Sequence, residues 1–287
     1  MNLHKIYNPI TATPFARNES YMEFAPCEAL KPYVKCFWGT KEPVRQRKTD
    51  IPTRGIVTPD TCMDIIFTVD VTNNRITGRF CGIDDRSFAT WDKNDEEKII
   101  STFAIRFFPW SAVLFAEESM QNTRNGFFEV DVHFSKLRKE IEPLLFDVVN
   151  IKERIARTEC YLLSHIYPKR SNHIVMDAMA ELLLRKGNIE IGQLTREVHT
   201  SNRQLERLFQ SYIGISPKQL SSLIRYQYLW KDVLFCGNFQ VMDAVYEYGY
   251  TDQAHLLHDF KRFHTMNISQ AKEYARKHVA FLQEKCC

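Results

Sequence analysis

The sequence predicts an α+β chain: a β-rich amino-terminal part with added helices, then an all-α carboxyl-terminal part of about seven helices. Three observations predict it. Before about residue 133 the apolar residues fall in short runs bounded by turn residues, the pattern of strands. Beyond it they recur at three- and four-residue steps, the pattern of amphipathic helices. Among those helices a helix-turn-helix pattern occurs twice, 51 residues apart.

The run Cys62-Met63-Asp64-Ile65-Ile66-Phe67-Thr68-Val69 follows Thr58-Pro59-Asp60, ends at Asn73-Asn74, and reads as a strand. In Thr102–Phe107, alternation puts Phe103, Ile105 and Phe107 on one face. Arg79–Ile83 is a weaker strand candidate. Short strands with turns between them suggest a sandwich or small barrel over residues 1–132. From His133, Leu137, Ile141, Leu144, Leu145 and Val148 take helical spacing despite Pro143, and Ile151, Ile155, Leu162 and Ile166 continue it. This 133–167 segment fits either a helix pair between two chains or packing on the β domain. Polar residues 168–172, with Pro168, predict a linker. Domain 173–287 then holds helices over 173–186, 190–198, 201–212, 217–235, 239–248, 252–263 and 268–284.

Composition bounds the function. The 287 residues suit two domains, and 44 % hydrophobic with 25 % charged residues excludes a disordered or fibrous chain. No apolar run approaches the length of a membrane span, and residues 1–9 lack the apolar core of a secretion signal, so a cytoplasmic protein with no membrane partner is expected. The net charge is +3, with 14 basic against 12 acidic residues in 171–287 and 24 against 23 elsewhere. Nucleic-acid binding therefore has to be argued from where the charges sit. The eight cysteines (27, 36, 62, 81, 160, 236, 286 and 287) include no Cys-x-x-Cys pair, so free thiols are expected and no metal. Cys286-Cys287 lies at a terminus expected to fray. The absence of a Ser/His/Asp motif, P-loop or dinucleotide turn predicts neither an enzyme nor a cofactor.

The repeat carries the chemistry. Leu205, Phe209 and Tyr212 are each followed 51 residues later by an apolar counterpart: Leu256, Phe260 and Phe263. Each copy places a short helix, 190–198 or 239–248, before a tight turn and a second helix. On 201–212, Leu205, Leu208, Phe209 and Tyr212 form an apolar stripe, and Asn202, Arg203, Glu206, Arg207 and Gln210 lie opposite. Arg can fork onto guanine, and Asn or Gln onto adenine. Ser201 is the expected N-cap, with Gln204 in the capping-box position. On 252–263, Asp252 is the expected N-cap and Leu256, Leu257, Phe260 and Phe263 are expected to pack inward. That leaves Gln253, His255, His258, Lys261 and Arg262 for solvent or DNA. Either helix alone could be ordinary amphipathic surface; two related units are harder to explain that way.

Segment 173–283 resembles the DNA-binding domain of AraC/XylS-type bacterial transcription regulators. The match rests on Leu205-x-Arg207-x-Phe209 with Gly214-Ile215-Ser216-Pro217, and on Asp243-Ala244-Val245 with Gly249–Leu256 and Phe260-Lys261. The resemblance implies two helix-turn-helix subdomains joined by a long helix, roughly 217–235, and double-stranded DNA as partner. It implies DNA contacts by Arg203, Gln204, Glu206 and Arg207 in the first copy and by Gln253, Ala254 and His258 in the second. With Asn202 and Lys261, whose exposed positions suit the groove, these form the expected interface. The sequence departs from the pattern at His199 and Thr265, where glycine is usual, at Ile268, where proline is usual, at His258, where arginine is frequent, and at Trp230 and Asp232.

The amino-terminal part resembles a divergent, cupin-like domain of such regulators, through Phe37-Trp38, Thr58–Phe67, Thr77-Gly78 and Phe107-Phe108-Pro109-Trp110. The resemblance implies small-molecule sensing or dimerisation, and family habit implies activation by contact with RNA polymerase. Trp38, Phe103, Arg106, Phe108 and Trp110 are the candidate effector-pocket residues, an aromatic core being the alternative that their composition also fits. With only His4, His133 and His165 in this part, a cupin-type metal site is not expected. Two further alternatives stand: a thiol- or metal-responsive regulator using Cys27, Cys36, Cys62 and Cys81, and a DNA-repair methyl acceptor. The latter needs a four-cysteine zinc site, which these spacings do not supply.

Overall fold

The computed structural model describes residues 2–10, 21–48, 53–92, 96–148 and 150–278; residues 279–284 of the last expected helix and Cys286-Cys287 lie outside them. Helix α1 (Leu3–Ile6) precedes, among the described residues, nine strands: β1 (Tyr21–Phe24), β2 (Val34–Thr40), β3 (Val44–Gln46), β4 (Thr53–Val57), β5 (Met63–Asp70), β6 (Arg75–Cys81), β7 (Phe88–Asp92), β8 (Lys98–Phe107) and β9 (Phe127–Glu129). Among the described residues, seven form an antiparallel sheet in the order β1-β2-β8-β5-β6-β9, with β3 pairing β8; β4 and β7 form a separate pair.

The strand period sorts the side chains. Register pairs Phe37 of β2 and Ile65 of β5 with Ile105 of β8, and Ile65 with Phe80 of β6, so these share a face with Phe67, Phe103 and Phe107. That face is fully buried. It is covered by α2 (Asp131–Asp147) and α3 (Ile151–Ser164), the Phe134 ring lying 4.9 Å from Phe80. The alternate positions Cys36, Asp64, Cys81 and Arg106 face the other way. Helix α2 keeps going through Pro143 but is kinked at Phe134 (φ −139°, ψ 48°). Its last carbonyls, Leu145 and Val148, accept from the buried Arg154 of α3 at 2.6 Å, and Arg154 also donates to Ser101 of β8 at 2.7 Å. One guanidinium thus ties both helices to the sheet. Burial holds it down at about 10.

After a single 3₁₀ turn at Pro168–Arg170 come, among the described residues, seven helices: α4 (His173–Leu184), α5 (Ile191–Glu197), α6 (Asn202–Tyr212), α7 (Pro217–Phe235), α8 (Val241–Glu247), α9 (Gln253–His264) and α10 (Ile268–His278). Helix α6 packs on α4, α5 and α7; α9 packs on α7, α8 and α10. The shared support, α7, starts with a full capping box: Gln219 N–H donates to Ser216 Oγ at 3.1 Å, and Ser216 N–H to Gln219 Oε1 at 3.0 Å.

The β-rich part grips this helical part at several points. Met120 N–H donates to the Ser211 carbonyl of α6 at 2.8 Å. Gln219 Nε2 donates to Asp85 at 3.1 Å. Midway along α7, Gln227 accepts from Ile10 N–H at 2.8 Å and donates to the Pro59 carbonyl at 2.6 Å. Tyr226 is hydrogen-bonded to Thr58 and, at 2.9 Å, to His264 Nδ1 at the end of α9.

Candidate nucleic-acid interface

Both second helices start on side-chain caps. Ser201 Oγ accepts from Gln204 N–H at 3.2 Å, and Asp252 Oδ1 from His255 N–H at 2.8 Å. At Ser201 only the side-chain half of the capping box is present; the reciprocal pair occurs at α7 instead. Each cap follows a turn with one left-handed residue directly after the first helix's C-cap: His199 (φ 50°) behind Val198, and Gly249 (φ 65°) behind Tyr248. A Cβ on Gly249 would also lie 2.1 Å from the Asn188 side-chain oxygen, which would have to move. His199 keeps the conformation without glycine's freedom.

The same contrast recurs at the helix ends. Gly214 (φ 85°) and Thr265 (φ 60°), 51 residues apart, each turn the chain out of the second helix. A Cβ on Gly214 would lie 2.7 Å from the Met120 carbonyl of the β-rich part. Thr265 is exposed, so its side chain has room. Trp230 and Asp232, the unusual residues of α7, serve the second unit. The Trp230 ring lies tilted against His264 at 4.4 Å and Phe260 at 5.8 Å, and Asp232 accepts from the Tyr248 hydroxyl.

Packing then decides which side faces out. Leu205 and Phe209 of α6, and Leu256, Phe260 and Phe263 of α9, are buried; Leu208 and Tyr212 are half-buried. Asn202, Arg203, Gln204 and Arg207 are exposed. Glu206 is half-buried, and burial raises its carboxyl above the ordinary value. On α9, Gln253, Ala254, His258 and Lys261 are exposed. One expectation is corrected: Leu257 does not pack inward. It is 36 % exposed beside a fully buried Leu256, because it lies one residue past the edge of the stripe that α7 covers.

The five candidate effector residues are not brought together. Arg106 is buried, donates from Nε to Asp64 Oδ1 at 3.0 Å, lies 3.5 Å from Asp60 and sits 5.7 Å over the Trp38 ring. Trp38 Nε1 donates to the same carboxylate at 2.8 Å. Phe103 is in the core on the opposite face, stacked on Phe37. Phe108 and Trp110 stack 4.6 Å apart beyond the strand, with Trp110 Nε1 on the Pro32 carbonyl. Sequence inspection missed Asp60 and Asp64 as the partners of Arg106; their i, i+4 carboxylates flanking a strand start were the available signal. All six described cysteines are free thiols. Burial pushes Cys36 up to about 12 and raises Cys62 and Cys81, disfavouring the reactive thiolate. Among the described residues no group of three or more His, Cys, Asp or Glu is placed to hold a metal, and no helix is long and apolar enough to cross a membrane.

Two capped helices, each presenting polar side chains from a buried stripe and each preceded by a short helix and a tight turn, define a double helix-turn-helix, DNA-binding transcription regulator. Residues 194–274 match the family model described as a helix-turn-helix domain, and this carboxyl-terminal region is of the AraC type. Residues 22–129 match a domain of unknown function (DUF6597). Similar solved structures include ToxT from Vibrio cholerae, 15 % identical, with a TM-score of 0.39, covering 83 % of this chain and 98 % of that one. A ToxT structure with a bound unsaturated fatty acid is 13 % identical, with a TM-score of 0.37, covering 90 % of this chain and 96 % of that one. No curated protein matches the sequence.

Proposed function

We propose that the protein is a sequence-specific regulator whose α6 and α9 enter successive major grooves on one face of a duplex. The observation that carries this is the pair of capped helices starting at Asn202 and Gln253, 51 residues apart, with polar outward faces and one rigid helix, α7, beneath both. Successive grooves on one face lie about 10 to 10.5 base pairs apart. One chain then reads an asymmetric bipartite site rather than a palindrome. Arg203, Gln204, Glu206 and Arg207, with Asn202, contact the first half; Gln253, Ala254, His258 and Lys261 contact the second. Lysines, arginines and helix ends supply phosphate contacts and most of the affinity.

The division of labour is a β-rich sensor or dimerisation unit over 1–132, a helical segment 133–167 available to a second copy, a linker at 168–172, and the reading domain from 173. The Trp38–Arg106–Asp64 cluster is where an effector with polar groups has partners; Phe103 in the core is not. Activation through RNA polymerase, a cytoplasmic location and the absence of enzymatic activity follow the family habit of the reading domain. A thiol-sensing input has less support, since Cys36, Cys62 and Cys81 are held in their protonated form by burial. Selection of the full chain on randomised duplexes tests the proposal. A two-part consensus is expected; recovered duplexes binding no better than scrambled DNA would overturn it.

A further inference from the structure

The 51-residue register compares the two helices position by position. Asn202, Arg203, Glu206 and Arg207 of α6 correspond to Gln253, Ala254, Leu257 and His258 of α9. The outward face of α6 at these places is polar or charged throughout. On α9 the two middle places are apolar, and both are exposed.

Ala254 and Leu257 are spaced i, i+3, so their side chains are neighbours on the helix surface. Gln253 lies four residues before Leu257 and Lys261 four after, so polar side chains flank Leu257 along the helix where the outward face meets the buried stripe. A single exposed leucine on a protein surface is unremarkable. This one lies between Gln253 and Lys261, beside Ala254 and His258, the side chains proposed to meet the DNA. Its neighbour Leu256 is fully buried, whereas Leu257 is 36 % exposed. The major groove offers one apolar group, the C5-methyl of thymine. Against cytosine, the same two side chains would cover the N4 amino donor without accepting its hydrogen bond.

We infer that Ala254 and Leu257 make the second reading helix a thymine-methyl reader, while the arginines of α6 make the first a guanine reader. The inference rests on the proposed insertion of α9 into a major groove. It gives the operator a direction: guanine under α6, thymine under α9, on one protomer.

The test uses the full chain and the duplexes it selects from a randomised library. In the chosen site, each thymine of each half is replaced in turn by uracil, which removes only the methyl. Burying one such group is worth about four-fold in affinity. At least one uracil in the second half should therefore weaken wild-type binding by about that factor. Leu257→Ser should bind the thymine site about as weakly as wild type binds that uracil site, and show no further loss with uracil. Arg207→Ala should keep the uracil penalty while losing discrimination at a guanine in the other half. Because Leu257 is exposed, unchanged thermal unfolding of Leu257→Ser checks that the fold is intact. A bipartite site whose second half tolerates uracil everywhere, or a penalty that persists in Leu257→Ser, overturns the inference and leaves groove reading standing. Failure to select any site removes groove reading itself, and the inference with it.

Discussion

Single side chains set how well the interface reads. Arg207 is exposed on α6 and can fork onto a guanine edge, so Arg207→Ala should cost about 1–3 kcal/mol in binding and relax preference at one base pair. Competition between the selected site and single-base variants measures it; unchanged relative affinities would remove Arg207 from the reading set. His199 holds φ 50° where Gly249 serves in the second copy. A left-handed residue other than glycine costs about 1–2 kcal/mol, part of which glycine's greater freedom in the unfolded chain cancels. His199→Gly should therefore raise stability by about 0.5–1 kcal/mol in urea unfolding. A carboxylate gives the pH signature. Burial, then the charges of Asp60, Asp85 and Asp64, push Asp84 up from 3.8 to about 7. Between those values the folded state keeps a proton that the unfolded state releases, so this group's contribution to stability falls as pH rises through the window. Asp84→Asn should match wild type near pH 4 and exceed it at pH 8 in denaturant midpoint. This scale was the least legible in the sequence. His199 could be flagged by its place in a turn, but Leu257 could not. It borders the apolar stripe, and periodicity alone does not say where the covering helix stops.

At the scale of elements, the second helix of each unit was legible because two independent signals coincide there. The 3.6-residue stripe gives the body, and Ser201 and Asp252 give the starts. Losing one of these caps should cost about 1 kcal/mol. For Ser201→Ala and Asp252→Ala the loss should appear in thermal unfolding and also in DNA binding, since each cap sets the entry of a reading helix. Unchanged stability in either would show that the cap is dispensable. The strands were less legible. β5, β6 and β8 alternate or run apolar, whereas β2 places Phe37 and Trp38 side by side. Both are used, Phe37 in the core and Trp38 over Arg106 on the other face, so the strand shows no clean period. The effector grouping failed for the same reason. Phe103 and Arg106 differ by an odd number of residues on one strand, and that alone sends them to opposite faces.

Across the whole molecule, the β-rich part and the reading domain share buried hydrogen bonds that no local pattern announces. Gln227 satisfies Ile10 N–H and the Pro59 carbonyl from one amide, joining residues more than 160 apart in sequence. Gln227→Leu leaves both backbone groups without that partner, at about 1–3 kcal/mol for each that stays buried. A lowered unfolding midpoint with an intact cooperative transition is expected; no change would show that the clasp contributes nothing. The same contacts, with Met120 on Ser211 and Asp85 on Gln219, anchor the β-rich part to the end of α6 and to α7 while Asn202, Arg203, Gln204 and Arg207 stay exposed. In the proposed complex one chain lays α6 and α9 into adjacent grooves. A hydroxyl-radical footprint of the full chain on its selected duplex tests it most directly. Two protected patches on one face of the helix, centred about 10 to 10.5 base pairs apart, are predicted; a single patch, or two patches on opposite faces, would contradict it.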